Sequence, residues 1–178
     1  MASSHGNSVL LLRPLAVVLS RLGVEGDRFL TDIGVDGDTP SDTYVPSEKV
    51  DRALERIAAE RGDETFALTM AREAVVRPLG LFSHLVWLSG TVRSALTQAA
   101  RFYSLVTQRA TLTLEVTEDG RVATFRQDML SGATRGSALV EFAFASLFLR
   151  ARGAAGERFR VRGMRFVHRA VVGRRERR

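Results

Sequence analysis

The sequence predicts an α+β domain, in which a helical N-terminal half is followed by an antiparallel sheet of at least three strands covered by a central apolar helix. Three observations predict this order. Before Val106, apolar residues recur mostly at spacings of three and four, which is typical of amphipathic helices. After Val106 they alternate with polar residues, as in a half-buried strand. The later segment Ser137 to Arg150 is apolar on nearly all sides, which indicates a helix buried on more than one face.

The composition limits the kinds of protein and site that the chain can form. At 178 residues with 45% hydrophobic content, it is long enough for one domain with a substantial core. The lack of cysteine excludes disulfides and thiolate metal sites, and the three histidines lack the short spacings of metal ligands. No apolar run reaches the roughly 20 residues of a membrane span, and no basic cluster opens the chain. We therefore expect no cofactor, no membrane partner and a cytoplasmic location.

The first part of the chain is predicted to form a series of short helices. Residues 1 to 7 are mostly polar and are expected to be a flexible leader. The first helix is expected within Ser8 to Leu22 and to begin near Arg13, because the following proline is poorly tolerated in a helix interior. Turn-forming residues predict a loop at Val35 to Pro46. Three further helices are bounded by capping residues or glycine: Asp27 to Ile33, Ser47 to Arg61 with Ser47 as its cap, and Glu64 to Val75 after Asp63.

The segment Pro78 to Val106 is predicted to form a pair of apolar helices. Ser89-Gly90 separates the two helices, and Thr91 is positioned to cap the second. The second helix has apolar residues at helical spacing on one face: Val92, Ala95, Leu96, Ala99, Phe102, Tyr103 and Val106. We therefore expect that face to be buried.

Strand signals follow the helix pair. Thr111 to Thr117 alternates between polar and apolar residues, Glu118 to Gly120 has the composition of a hairpin turn, and Val122 to Gln127 is expected to return as the second strand. Phe159 to His168 is predicted as a third strand. Its apolar positions change parity at Gly163, where a bulge is expected.

The net charge of +6 is concentrated at the C-terminal end of the chain. From Arg150 onward there are 11 arginines and two glutamates, so the preceding part is mildly acidic. Such a segment can attract nucleic acid through its phosphates, but arginines on the outer face of a strand also keep a sheet edge solvated. We favour the solvated face, because no helix-turn-helix pattern follows.

Two polar residues in apolar helices are candidate binding residues. For His84, a position at the edge of the core with one hydrogen bond is the simpler interpretation, and a polar contact inside a ligand cavity is the alternative. Glu141 interrupts the central helix, so we expect it either at an exposed edge paired with an arginine or as the anchor of a polar effector. The nucleophile motifs GxSxG and SxxK are absent, and we do not expect an enzyme.

The order of these elements and three segments resemble the N-terminal effector-binding, arabinose-binding-like domain of AraC-type transcriptional regulators. The segments are GLFSHLVWLSGTVRSALTQAARFYSLV at Gly80 to Val106, LVEFAFASLFLRA at Leu139 to Ala151 and VRGMRFVH at Val161 to His168. The resemblance covers residues 8 to 170 and leaves 171 to 178 as a basic tail. The family's helix-turn-helix domain has no counterpart in the sequence. We therefore expect a truncated regulator, a stand-alone sensor domain or a chain with an out-of-frame end, and DNA contact only through that absent domain.

The resemblance implies an effector-sensing domain that controls DNA binding in a full-length protein, with a small molecule as its partner and a homodimer as its assembly. We expect a mostly apolar pocket between the helix pair, the central helix and the sheet, because two strongly apolar helices flank the hairpin. The residues expected at this pocket are His84, Trp87, Phe102, Tyr103 and Glu141. The alternative is a protein-interaction or dimerisation module without a small-molecule ligand, because an incomplete sheet exposes an edge that a partner can pair with.

Overall fold

A computed structural model describes residues 5–76, 80–130 and 137–167 of the chain. Within these ranges there are seven α-helices, two short 3₁₀ helices and two antiparallel two-stranded sheets. In chain order, the helices and strands are β1 (Gly6–Ser8), α1 (Val9–Arg21), α2 (Gly26–Ile33), β2 (Tyr44–Pro46), α3 (Ser47–Arg61), α4 (Phe66–Val75), α5 (Gly80–Trp87), α6 (Val92–Phe102), β3 (Ala110–Val116), β4 (Ala123–Met129) and α7 (Ser137–Ala155). The 3₁₀ helices are Tyr103–Leu105 and Gly156–Arg158.

The hydrophobic core lies where α1 to α4 pack against α7. Its fully buried side chains include Leu12, Leu15, Leu54 and Met70. From α7, Leu139, Phe142 and Ala145 enter the same core. On another side of α7, Phe144 contacts Phe125 of β4 with ring centroids 6.1 Å apart. Burial on two sides explains why the sequence of α7 is apolar almost all round.

Helix α1 begins at Val9 rather than near Arg13, despite the proline inside it. The Ser8 hydroxyl caps the helix by accepting a hydrogen bond from the Leu10 amide at 3.2 Å. Pro14 lacks the N–H that would otherwise bond to a carbonyl one turn earlier, which costs one helical hydrogen bond. Burial of the first turn, where Val9 is fully inaccessible, offsets that cost.

Strand β1 includes the last two residues of the leader expected at positions 1 to 7, and β2 lies inside the expected loop. β1 pairs with β2 so that Asn7 is opposite Val45. On its other edge, the Ser8 amide donates to the Val106 carbonyl at 2.9 Å, and Asn7 forms a bridge with Thr107. β1 thus lies between two segments that are distant in sequence. Local patterns could not indicate these pairings.

Helix α3 has the predicted bounds, but Ser47 does not cap it. Ser47 is the first residue of the helix, and Pro46 occupies the N-cap position without a side-chain hydrogen bond. The Ser47 hydroxyl instead donates to the His5 carbonyl at 2.9 Å, which ties α3 to the N-terminal strand. Helices α2 and α4 begin within two residues of their predicted starts.

The described helix pair and hairpin form as predicted, but the apolar face of α6 is only partly buried: Ala99 and Val106 are buried, and the other five residues of that face are half-buried. Thr91 caps α6, because its hydroxyl oxygen accepts a hydrogen bond from the Ser94 amide at 3.1 Å. α6 ends at Phe102, and a 3₁₀ turn completes the predicted span. β3 and β4 pair along their whole length, with Leu114 opposite Phe125.

The third strand predicted at Phe159 to His168 does not form in its described part, residues 159–167. His168 lies outside the described residues. The segment follows α7 without strand pairing, and Phe166 contacts Phe144 with ring centroids 6.2 Å apart. Contact with the helix thus takes the place of a backbone ladder. The expected sheet of at least three strands is corrected to two two-stranded sheets in the described part of the chain.

Replacing Gly26 with alanine is expected to lower the free energy of unfolding by about 1–3 kcal/mol, because α1 and α2 meet too closely for a side chain. A Cβ atom on Gly26 would lie 2.3 Å from the Ala16 carbonyl oxygen and 2.4 Å from the Ser20 hydroxyl. Urea denaturation of the variant measures the loss. The matched control is Gly37→Ala, since a Cβ there meets no atom within 4 Å. Equal stability of the two variants would contradict the prediction.

Candidate functional site

A cavity of about 130 Å³ lies between α5, α6, α7 and the β3–β4 hairpin. Most of its lining is apolar and includes Phe82, Val86, Leu112, Phe125, Phe142 and Leu147. Asn7 of β1 and the residues just before β3 also reach the cavity wall. Mostly apolar walls with a few polar groups are typical of small-molecule sites.

Local geometry explains how each element contributes to this wall. On α5, Phe82 and Val86 are one turn apart and therefore lie on the same face. On the hairpin, Leu112 is paired with Gln127, and Phe125 is two residues away from Gln127, so all three share one face of the ribbon. The long α7 adds residues from successive turns. Elements far apart in sequence thus form one partly open cavity.

Tyr103 and Gln127 form a polar contact within the wall. The Gln127 side-chain amide donates to the Tyr103 hydroxyl oxygen at 2.9 Å. Burial raises the pKa of Tyr103 to about 12. Its phenol therefore stays neutral at neutral pH and acts as a hydrogen-bonding group.

An ion pair lies at the boundary between the cavity and α3. The Arg109 side chain is 1% exposed, and one terminal guanidinium nitrogen lies 3.0 Å from each carboxylate oxygen of Asp51. The Thr107 hydroxyl accepts a hydrogen bond from the Arg109 amide and donates to the Gly6 carbonyl at 3.2 Å. This network connects the start of β3 to both α3 and β1. The cation at the cavity wall is thereby balanced by a carboxylate.

A second arginine at the cavity, Arg150, bonds to the end of α4. Its guanidinium donates to the carbonyl oxygen of Ala74, in the last turn of that helix. Carbonyls at a helix C-terminus carry partial negative charge and favour cations. Burial lowers the pKa of Arg150 to about 10, so the group remains protonated at neutral pH.

Among the uncharged side chains at the cavity, two buried polar atoms have no hydrogen-bond partner in the described residues: the side-chain oxygen of Asn7 and the hydroxyl of Ser146. The Asn7 amide nitrogen does have a partner, because it donates to the Ser47 hydroxyl at 3.4 Å. Buried polar groups are nearly always paired with protein, water or ligand. These two atoms are therefore available for a molecule inside the cavity.

Of the five residues expected at the pocket, the structure places Tyr103 in the cavity wall. His84 is exposed and does not line the cavity, because it lies on a different face of α5 from Phe82 and Val86. The side chain of Trp87 lies outside the part of the structure that is described.

Phe102 and Glu141 also do not line the cavity. The guanidinium of Arg101 lies 5.2 Å from the ring centroid of Phe102. Glu141 is buried, with 4% of its surface exposed, so the exposed-edge position expected for it is wrong. It lies one helical turn before Ala145, whose side chain packs into the core with α1 to α4.

Sequence reasoning missed seven polar residues at the cavity: Asn7, Ser83, Thr107, Arg109, Gln127, Ser146 and Arg150. Ser146 had a signal, since it interrupts an apolar helix. However, a serine hydroxyl within a helix can hydrogen-bond to a backbone carbonyl of the preceding turn, so the signal did not indicate a ligand. The sequence carried no signal for the burial of Arg109, because that burial depends on a carboxylate 58 positions away. The place of Asn7 at the cavity depends on the pairing of β1 with distant segments, which local sequence patterns do not indicate.

Comparison with known families decides which kind of domain this is. The model of the arabinose-binding domain at the N-terminus of AraC transcription regulators matches residues 23–177. The chain belongs to this family. No curated protein matches the chain.

Membership of the AraC-type domain family confirms the resemblance seen in the sequence. The family is a regulatory ligand-binding domain rather than an enzyme, and it implies a small-molecule effector, with DNA contacted through a separate domain. None of the helices in the described part of this AraC-type domain has the length and apolarity needed to cross a bilayer.

Proposed function

We propose that this AraC-type domain senses a small molecule that binds in the cavity between α5, α6, α7 and the hairpin. The observation that carries the proposal is the cavity itself, a partly open and mostly apolar space of about 130 Å³. Tyr103 is the residue of the sequence-derived set that would contact the ligand. In a full-length protein, occupancy would control DNA binding by a separate domain.

Helix α7 is the element through which binding would act. One side of α7 contributes Ala143 and Leu147 to the cavity, and another packs against α4 in the core. A ligand that binds one arrangement of α7 more tightly than another shifts the population toward the first. The packing of α7 on α4 would carry this shift to the far side of the helical layer, where a dimer partner or the DNA-binding domain could respond.

Filling the cavity by Ala99→Leu is expected to abolish ligand stabilisation while the domain stays folded. Ala99 is buried on α6 and lines the cavity, so a leucine there would occupy part of the space. A ligand at 100 times its Kd stabilises a folded protein by about 2.7 kcal/mol, which raises Tm by several degrees. Thermal shift of the wild-type domain against a broad metabolite set identifies binders, and the same binders are then tested on the variant.

The matched control is Ala154→Leu, which adds the same side chain at an exposed position near the end of α7. This variant should retain the full thermal shift. If no metabolite raises the Tm of the wild-type protein, or if Ala99→Leu keeps the full rise in Tm with the same binders, sensing through this cavity is rejected.

A protein-interaction or dimerisation module is the second candidate. Residues 159–167 expose three large apolar side chains, Val161, Met164 and Val167, which a partner could cover. Light scattering separates the two functions. A stable dimer that ignores all tested metabolites favours interaction, and a ligand-sensitive assembly favours sensing.

A further inference from the structure

We propose that the ligand is a neutral, mostly apolar molecule about the size of a single ring, with a hydroxyl-type group that hydrogen-bonds to Asn7 and Ser146. This inference rests on the proposed sensing function, since it concerns the same cavity. It adds the chemical class of the ligand and the side chains that select it.

The volume of the cavity sets the size of the ligand. The cavity measures about 130 Å³. A dry apolar cavity of about 150 Å³ in another protein holds benzene. A molecule with one six-membered ring, or a branched aliphatic molecule of similar volume, therefore fills this space, and a larger molecule would have to extend toward the open side of the cavity.

The unpartnered atoms determine the polarity of the ligand. Asn7 is 0% exposed and Ser146 is 6% exposed, so bulk water does not satisfy them. The Asn7 side-chain oxygen is an acceptor and requires a donor, whereas the Ser146 hydroxyl can donate or accept. A ligand hydroxyl can both donate and accept, so it suits either atom. An entirely apolar ligand would leave both atoms without partners, which is unfavourable in a buried site.

Three uncharged polar side chains of the wall, Tyr103, Thr107 and Gln127, already have partners. Tyr103 pairs with Gln127, and both hydrogen-bonding functions of the Thr107 hydroxyl are used by the backbone. A sugar would bury several hydroxyls, and the described wall has too few available polar atoms to satisfy them. The ligand is therefore apolar over most of its surface.

The charges at the wall favour a neutral ligand. Asp51 balances Arg109 at 3.0 Å. Arg150 donates to the Ala74 carbonyl at the C-terminal end of α4, where the helix dipole stabilises a cation. Because Arg109 faces a carboxylate and Arg150 faces a helix C-terminus, a carboxylate in the cavity would compete with these groups for the cations and would also lose its own hydration.

Four probes test the ligand class by isothermal titration with the wild-type chain: benzyl alcohol, toluene, benzoate and L-arabinose. Benzyl alcohol is expected to bind about 2- to 10-fold more tightly than toluene, the range that one buried hydrogen bond supplies. Benzoate and L-arabinose are expected to bind more weakly than either. Tighter binding of benzoate or of L-arabinose than of benzyl alcohol would overturn the assignment.

Replacing Ser146 with alanine separates a ligand contact from a structural role. Because the Ser146 hydroxyl has no hydrogen-bond partner among the described residues, the ligand-free Ser146→Ala variant should have a Tm equal to or above that of the wild type. Its preference for benzyl alcohol over toluene should shrink toward 1-fold, while its affinity for toluene stays the same. Asn7→Ala should reduce the same preference, whatever its effect on Tm.

The matched control is Thr107→Val, at a cavity residue whose hydroxyl is already bonded to the backbone. It should lower Tm and leave the preference for benzyl alcohol intact.

If Ser146→Ala lowers Tm and keeps the full preference, Ser146 is structural and the inference is wrong. Equal binding of toluene and benzyl alcohol to the wild type also overturns the inference but leaves sensing in place. If none of the four probes binds, the ligand class is overturned, and the broad metabolite screen decides on sensing alone.

Discussion

Replacing Arg109 with methionine is expected to lower the free energy of unfolding by about 3–5 kcal/mol, the cost of breaking a buried ion pair from one side. Arg109 is among the largest fully buried side chains in the described residues, and Asp51 is its buried partner on α3. Methionine preserves much of the apolar stem of arginine but removes the guanidinium that balances the Asp51 carboxylate. Urea denaturation, analysed with a shared m-value, measures the loss.

Two further variants test whether this loss comes from the charge. Adding Asp51→Leu to Arg109→Met should recover much of the lost stability, because the double variant no longer buries a carboxylate opposite a missing cation. Arg126→Met is the surface control, since Arg126 pairs with Glu115 and Asp128 on the exposed face of the hairpin. It should cost no more than about 1 kcal/mol. An equally small loss for Arg109→Met would show that the buried pair does not hold β3 to α3.

Replacing Phe142 with alanine is expected to lower the free energy of unfolding by about 3–5 kcal/mol, because it removes a large apolar side chain from a site that cannot collapse fully. Phe142 is 2% exposed, belongs to the core shared with α1 to α4 and also lines the cavity. The variant should therefore weaken the packing of α7 and enlarge the cavity. Thermal and urea unfolding measure the stability.

The matched control for Phe142→Ala is Phe102→Ala. Phe102 is partly exposed at the end of α6 and does not line the cavity. Removing this side chain should lower the free energy of unfolding clearly less than Phe142→Ala does. If the two variants lose the same stability, the core does not depend on α7 as the described packing indicates.

Local signals in the sequence predicted most of the helices and the hairpin. Thr91 caps α6 as expected, because the interaction joins residues three positions apart. Asp119-Gly120 predicted the turn between β3 and β4, where Gly120 has a φ of +69° that suits glycine. The apolar sequence of α7 likewise indicated burial on more than one side.

Interactions between distant residues explain where the prediction differed. Ser47 had the position of a helix cap, but its hydroxyl bonds to His5, 42 positions earlier. Residues 159–167 had a strand-like composition, yet contacts with α7 hold them instead of a neighbouring strand. At the pocket, His84 had a suggestive apolar context, but the rotation of α5 leaves it exposed.

The sequence by itself determined the helical first half, the hairpin, the apolar helix α7 and the resemblance to the AraC-type domain, because caps, turns and periodicity act over a few residues. Only the tertiary structure showed the pairing of β1, the Arg109–Asp51 ion pair and the cavity with Asn7 and Ser146 at its wall. A cavity is the space left between elements after they pack, so its volume and its polar atoms depend on distances that no single segment encodes.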